Sequence, residues 1–345
     1  MKIPMNFQLL FMFCITWLCG ISMIEAQTND DKADAPTFFD TLYRLPLTHL
    51  ELHVNLDSLL KGKFTQNEHT GTLLVNTAEG TVMEWPLKVS IRSKSRRIHC
   101  SFPPLKLDFS KSVLEERGLD RQDDYKIVTH CLEDDDIGAS CLLKEYMLYR
   151  LYNILTPFSL RAILVDMVYV DSLSKEKLEK KAILLESAEE FAKHRKGTLC
   201  NCMGTPHDSI NGFEYELLTM FQYMVGNSDM DYLVERNVKF IKPQSGEKWF
   251  PMAYDFDFAA IVNAPYVLPK VPDNRTYRPY YLGFEENAGL LKAVIERFLE
   301  KKDEIIEYLK NFEGLKKGDQ RACIQYIRQF YSLIEQPEFE PPYKK

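Results

Sequence analysis

The chain has 345 residues, of which 45% are hydrophobic, and its formal net charge is -7 at pH 7. These apolar side chains suffice for a substantial core in one large domain or in two closely packed lobes. The negative charge argues against nucleic acid as a partner, because the phosphate backbone binds basic surfaces.

The N-terminus has the pattern of a secretory signal peptide. Lys2 precedes an apolar run at residues 7–24, and a polar segment begins after Ala26. We predict a signal peptide at residues 1–26 with cleavage after Ala26, and export to the periplasm, the cell envelope or the extracellular space. The apolar run is about as long as a membrane span, so an uncleaved anchor is the alternative. No later segment is comparably long and apolar, so no membrane span is predicted after cleavage.

Six cysteines follow the predicted signal peptide. An exported chain folds in an oxidising compartment, where disulfides form and persist. We therefore expect Cys100 to pair with Cys131 or with Cys141, since the sequence alone cannot decide the pairing.

The first half of the exported chain is predicted to be rich in strands. Residues 27–37 are polar and form a flexible lead-in. Alternation with a period of two then indicates strands between residues 50 and 109, and further strands and one helix complete a β-rich N-terminal lobe at residues 38–187. These later elements are a strand at 125–129, a helix at 142–155, and strands at 161–170 and 181–185.

The second half is predicted to be mainly helical. Its elements are a helix at 213–224, short strands at 238–241 and 249–258, and helices at 288–312 and 319–334. They define a C-terminal lobe at residues 188–345 that carries an acidic site. A β-rich half followed by a helical half predicts an α+β fold with two lobes.

The acidic motif Tyr254-Asp255-Phe256-Asp257-Phe258 lies in the second of these short strands. The strand period of two separates the aromatic rings from Asp255 and Asp257, which share one face. Carboxylates about 7 Å apart repel each other by roughly 2 kcal/mol at an effective dielectric near 20, and a divalent cation would remove that cost. The alternative is a half-buried strand with a solvated acidic face.

Two further polar residues strengthen the metal interpretation. Asp229 follows the end of an apolar helix, and Asn237 opens the next strand. Phosphoryl transfer requires a carboxylate that orients or deprotonates the attacking hydroxyl, together with acid and amide oxygens that hold magnesium. Asn and Asp also favour helix C-terminal turns, which is the structural alternative for this segment.

This order of features resembles the catalytic half of the spore-coat CotH kinase family. In that family an Asp is followed by an Asn that opens a strand and then by a Trp-Asp-x-Asp motif. The matching features here are Asp229, the strand that Asn237 opens, and the acidic motif. The resemblance implies a two-lobed protein-kinase-like fold. It implies that Asp229 is the catalytic base, that Asn237 is the second metal ligand, and that Asp255 or Asp257 is the principal metal-binding residue.

The same resemblance suggests nucleotide-binding residues upstream. Lys126 and Glu145 would form the phosphate-binding lysine and its carboxylate partner, with Lys106 as a competing lysine and Glu186 as the acid between the lobes. The structural alternatives are a strand lysine whose charged end reaches solvent and a solvated helix glutamate. No glycine-rich phosphate loop is present, because Gly62, Gly71 and Gly80 are scattered.

We therefore predict a metal-dependent phosphotransferase that uses Mg²⁺ or Mn²⁺ and transfers phosphate from ATP or another nucleotide to a hydroxyl group of a protein or small molecule. The alternative is a non-catalytic exported envelope protein that binds a metal or another ligand with its acidic site. Scarcity of ATP outside the cytoplasm favours this alternative or a different donor.

Overall fold

A computed structural model describes residues 35–93, 95–267 and 280–343. These residues belong to one compact unit that begins at Ala35. The predicted signal peptide and most of the predicted lead-in lie outside the described residues. Within the described part of the chain, every helix is too short or too polar to cross a bilayer.

The first half of the described chain contains seven strands that close into a barrel. They are β1 (Leu47–Val54), β2 (His69–Thr77), β3 (Val82–Ile91), β4 (Leu105–Phe109), β5 (Asp124–Val128), β6 (Ala162–Asp171) and β7 (Lys177–Leu185). The order around the barrel is β1-β2-β3-β4-β5-β7-β6. All neighbouring strands are antiparallel except β1 and β6, whose parallel pairing closes the barrel.

The closed barrel contradicts the predicted two-lobed protein-kinase-like fold with a β-rich N-terminal lobe and a helical C-terminal lobe. Alternation with a period of two identified the strands, because it reports which side chains face the interior. It carries no information about which distant strands pair. The parallel contact between Leu50 in β1 and Met167 in β6 is such a non-local pairing.

A short helix fills one part of the barrel core. Helix α1 (Phe38–Arg44) begins with a capping box between Thr37 and Asp40. Its Phe38 is fully buried and lies 4.5 Å from Phe109 and 5.1 Å from Trp85, measured between ring centroids. Burial of aromatic side chains contributes strongly to core stability, so α1 is an integral part of the barrel.

Nine further α-helices, four of them between barrel strands along the chain, and a small sheet complete the described structure. The sheet contains β8 (Gly197–Cys200), β9 (Val238–Pro243) and β10 (Phe250–Ala253), in the order β10-β9-β8. The helices are α2 (Leu56–Lys61), α3 (Arg96–His99), α4 (Lys111–Glu116), α5 (Asp135–Leu155), α6 (Ala188–His194), α7 (Gly212–Val225), α8 (Ala288–Glu300), α9 (Lys302–Asn311) and α10 (Lys317–Ile334). Helices α5, α7, α8, α9 and α10 share one hydrophobic cluster, while the barrel interior forms another.

Several local predictions agree with the structure. The predicted helix at 142–155 is the second part of α5, and the predicted helix at 213–224 is α7. The long helix predicted at 288–312 is divided at Lys301 into α8 and α9. Of the two disulfide alternatives, the structure contains the Cys100–Cys131 bond.

His130 is a buried titratable group next to this disulfide. It packs against Phe102 and Tyr169, and only 7% of its surface is exposed. Burial, together with the positive charge of Lys180, lowers the pKa of His130 to about 4 against the opposing influence of Asp135.

We predict that His130 makes the protein less stable as the pH falls from about 6.5 to 4. In this window the unfolded state binds a proton that folded His130 does not bind, so up to about 3 kcal/mol of unfolding free energy is lost. Urea unfolding at a series of pH values measures the loss. The loss of unfolding free energy should be smaller in His130→Gln than in the wild type. In the control variant His69→Gln, whose histidine is half-buried, the loss should equal that of the wild type. If the unfolding free energy had the same pH dependence in the wild type and in His130→Gln, His130 would not be the group responsible for the loss.

Candidate functional site

Five charged side chains from four segments of the chain meet beyond the end of β10. Arg96 in α3 lies at the centre, with its Nη2 atom 2.9 Å from Glu145 Oε2 and 2.6 Å from Asp255 Oδ1. Its Nε atom lies 2.8 Å from Asp257 Oδ2, although the direction is unfavourable for a hydrogen bond. Lys126 Nζ in β5 lies 3.5 Å from Asp255 Oδ2. We call Glu145, Asp255 and Asp257 the acidic cluster.

The two aspartates do not lie on a strand, which corrects the predicted strand at 249–258. Strand β10 ends at Ala253, and Asp255 has a φ of +64°, in the left-handed region. The Asp255 backbone N–H donates to Tyr149 Oη at 3.0 Å, and Phe256 is fully buried. A turn therefore directs both carboxylates toward Arg96. Asp257 is only 3% exposed, so the alternative of a solvated acidic face is wrong.

The acidic cluster carries more negative charge than Arg96 and Lys126 balance when all five groups are ionised. Burial raises the pKa of Glu145 to about 7; Arg96 opposes this shift, whereas Asp255 and Asp257 add to it. Burial likewise raises the pKa of Asp257 against the influence of Arg96. For Asp255, burial is outweighed by Lys126 and Arg96, which hold its pKa well below the usual range.

Access to the acidic cluster is narrow in this conformation. A cavity beside Arg96, Glu145 and Asp257 has a volume of about 10 Å³. The Tyr266 hydroxyl donates to Asp257 Oδ2 at 3.0 Å and lines the same cavity. This volume is at the lower limit for one water molecule. A larger ligand therefore requires movement of Arg96 or Tyr266.

The predicted catalytic residue Asp229 and metal ligand Asn237 form a second group. Asn237 Nδ2 donates to the Asp229 carbonyl oxygen at 2.6 Å and to Asp229 Oδ2 at 2.9 Å. Arg236 Nε lies 3.2 Å from Asp229 Oδ1. The Asn237 carbonyl accepts the N–H of Tyr254 at 3.2 Å, so the group adjoins the residue that precedes Asp255.

The four predicted nucleotide-binding residues lie in different environments. Lys126 contacts the acidic cluster, of which Glu145 is a member. The ion pairs of Lys106 among the described residues are with Asp108 at 2.8 Å and Asp124 at 3.1 Å. Glu186 is buried and pairs with Arg161 at 2.7 Å.

Sequence reasoning missed the role of Arg96. The basic run at residues 92–97 provided a signal, because a buried acidic group needs a cation. The run could not indicate which basic residue turns inward. The short helix α3 decides this, since Arg96 is 3% exposed while Arg92 lies near the surface.

A separate group of side chains could hold a metal ion. Asp40 in α1 and Glu190 and His194 in α6 each offer one ligand atom, and these atoms lie within 4.8 Å of one another. The sequence prediction did not include this group, because its members are far apart in the chain and only the packing of α1 against α6 unites them.

Comparisons with the models of known protein families and with curated proteins found no match.

We predict that Arg96→Ala destabilises the protein by about 3–5 kcal/mol, because it leaves three carboxylates without their central cation. The control is Arg92→Ala, which removes an exposed arginine 3.5 Å from Asp124 and should cost less than about 1 kcal/mol. Urea unfolding at neutral pH compares the two variants. Similar losses would show that Arg96 is not the central stabilising charge.

Proposed function

We propose that this chain is a metal-dependent phosphotransferase that transfers phosphate from a nucleotide to a hydroxyl group. The contact between Lys126 and the acidic cluster carries the proposal. Lys126 and Glu145 are far from Asp255 in sequence, yet they meet at one centre with two aspartates. A lysine next to clustered carboxylates suits a metal–phosphate complex, since the lysine binds phosphate and the carboxylates bind the metal. The same chemistry can occur on unrelated folds when the side chains of the site are equivalent. A barrel in place of a kinase-like lobe is therefore compatible with phosphoryl transfer.

The donor atoms at this site suit Mg²⁺ or Mn²⁺. Asp255 and Asp257 supply carboxylate oxygens, which hard divalent cations prefer. Asn237 donates two hydrogen bonds to Asp229 through its amide nitrogen, which leaves its side-chain oxygen as the atom for a metal. The three carboxylates exceed the positive charge of Arg96 and Lys126 when ionised, so they could accept a divalent cation once Arg96 has moved away. A bound divalent ion would neutralise charge on the phosphate groups.

Asp229 is the proposed base for the acceptor hydroxyl. Its carboxylate is oriented by Asn237 and by Arg236 at 3.2 Å. In the proposed reaction Asp229 accepts the hydroxyl proton while the acceptor oxygen forms a bond to phosphorus. The bond from phosphorus to the bridging oxygen of the nucleotide breaks, and that oxygen leaves with the bond's electron pair. Lys126 would hold the phosphate chain in position.

Arg96 must move before a metal binds between the carboxylates. Its guanidinium contacts all three members of the acidic cluster, and the adjoining cavity of about 10 Å³ cannot hold a nucleotide. We therefore propose that the described conformation is a closed one, in which Arg96 neutralises the cluster in place of a metal.

The contacts of Arg96 with the acidic cluster also support a second candidate function. Arg96 already satisfies Asp255 and Asp257, as in a structural ion-pair network. The alternative is therefore a non-catalytic exported envelope protein that binds a metal or another ligand without turnover.

The proposed location is the periplasm, the cell envelope or the extracellular space. The Cys100–Cys131 disulfide supports this location, because such bonds persist in oxidising compartments. The proposed partners are a nucleotide, either ATP or another donor, and a hydroxyl-bearing protein or small molecule. The formal net charge of -7 disfavours nucleic acid.

We predict that Mg²⁺ or Mn²⁺ together with a nucleotide raises the melting temperature of the wild type. A ligand at about 100 times its dissociation constant stabilises the folded state by about 2.7 kcal/mol. Asp257→Asn should weaken this effect, because it removes one charged metal ligand. Thermal unfolding with metal alone, nucleotide alone and both together measures it. No nucleotide-dependent shift in the wild type would refute the phosphotransferase proposal, and a shift with metal alone would favour the binding protein.

Transfer itself is tested with a labelled nucleotide. Asp229→Asn should reduce phosphate incorporation into protein or a hydroxyl acceptor by at least about 100-fold, because it removes the proposed base. Asp231→Asn is the matched control: Asp231 lies two residues away, and an asparagine can still accept the hydrogen bond from the Leu233 N–H. Unchanged incorporation in Asp229→Asn, or an equal loss in both variants, would contradict the assigned role.

A further inference from the structure

The side chains of Asp40, Glu190 and His194 form a cluster away from the acidic cluster. Glu190 and His194 are four residues apart in α6, a spacing that places both on one helical face. Asp40 reaches them from α1, and its Oδ2 atom lies 3.5 Å from His194 Nε2. The candidate ligand atoms lie within 4.8 Å of one another, as required for three ligands of one ion.

Neighbouring groups hold these candidate ligands in place. Glu186 Oε1 lies 3.4 Å from His194 Nδ1, so this carboxylate can orient the imidazole while Nε2 faces Asp40. The Thr37 hydroxyl donates to Glu190 Oε1 at 2.6 Å, and the Thr37 N–H donates to Asp40 Oδ2 at 3.2 Å. Metal-binding histidines and carboxylates commonly have such supporting hydrogen bonds.

An unpartnered buried oxygen points independently to a ligand. Glu190 has a side chain that is 0% exposed, and its Oε2 atom has no hydrogen-bond partner among the described residues. A buried carboxylate oxygen without a partner is costly. The Tyr125 hydroxyl, which is also buried and lacks a well-directed hydrogen bond among the described residues, lies close enough to Glu190 to interact with its carboxylate and to compete as a donor. Whether this hydroxyl, and not a metal ion, is the partner of the Glu190 oxygen is tested below with Tyr125→Phe.

Carboxylates outnumber the cationic side chains around this cluster. Arg161 lies 2.9 Å from Asp40, 2.7 Å from Glu186 and 3.3 Å from Glu190. One guanidinium therefore faces three carboxylates. Burial raises the pKa of Glu190 to about 7, and the hydrogen bond to Glu186 raises the pKa of His194. A divalent cation would therefore compete with protons for these two groups.

We infer that Asp40, Glu190 and His194 form a zinc-binding site that links α1 to α6. Imidazole with two carboxylates is a donor set typical of Zn²⁺, whereas Mg²⁺ and Ca²⁺ prefer oxygen ligands alone. The His194 side chain is 33% exposed, which gives the ion access and leaves room for a water molecule as a fourth ligand. The metal would fix α1, whose Phe38 fills the barrel core.

The test uses the full exported chain after treatment with a chelator and dialysis. We expect one Zn²⁺ per chain by elemental analysis after equilibrium dialysis, a higher melting temperature with Zn²⁺, and no comparable effect of Mg²⁺. His194→Gln should weaken Zn²⁺ binding at least about 100-fold, and Glu186→Gln should weaken it about 10–100-fold through the orientation of His194. His194 is partly exposed, so its replacement should leave the fold intact.

Three control variants distinguish this zinc site from the other polar groups of the chain. His69→Gln should leave Zn²⁺ binding unchanged. Asp257→Asn should also leave it unchanged, so the result does not depend on the proposed phosphotransferase site. Tyr125→Phe removes the competing hydroxyl but no metal ligand and should retain binding. Absence of bound Zn²⁺ in the wild type, full binding by His194→Gln, or equal binding of Mg²⁺ would overturn the inference.

Discussion

The ion pairs of Arg96 with Glu145, Asp255 and Asp257 are the interaction on which the candidate site depends. A buried guanidinium is tolerated only when carboxylates surround it, and buried carboxylates equally require a cation. The three acids come from α5 and from the turn after β10, while Arg96 comes from α3 beside the barrel. One side chain therefore joins the segment beside the barrel to the helical core and occupies the space between the three carboxylates.

Local features of the fold were predictable from the sequence. The periods of two and 3.6 identified most strands and the longer helices α5, α7 and α10, and the expectation of a disulfide in an oxidising compartment included the Cys100–Cys131 pair among its alternatives. Closure of the barrel was not predictable, because the parallel pairing of β1 with β6 joins segments far apart in the chain. Periodicity reports the environment of each residue along its own element, and it cannot identify the partner of that element.

The candidate site shows the same limit in its side chains. The sequence identified Asp255 and Asp257 as an unusual acidic pair, but it predicted a pleated strand where the backbone makes a turn at Asp255. It did not identify Arg96, because the contact spans 159 residues between Arg96 and Asp255. The cluster of Asp40, Glu190 and His194 also depends on long-range packing. Charge and residue type indicated chemistry, whereas the fold determined which charges meet.

The Cys100–Cys131 disulfide has a consequence for the electrostatics of the site. Cys100 directly follows α3, which carries Arg96, and Cys131 lies shortly after β5, which carries Lys126. The bond therefore ties together the two segments that supply the positive charges around Asp255. In a reducing cytosol these segments would lack this cross-link and would be joined only through the intervening backbone. The redox state of the compartment thus decides whether the segments that carry Arg96 and Lys126 are cross-linked, even though neither cysteine belongs to the acidic cluster.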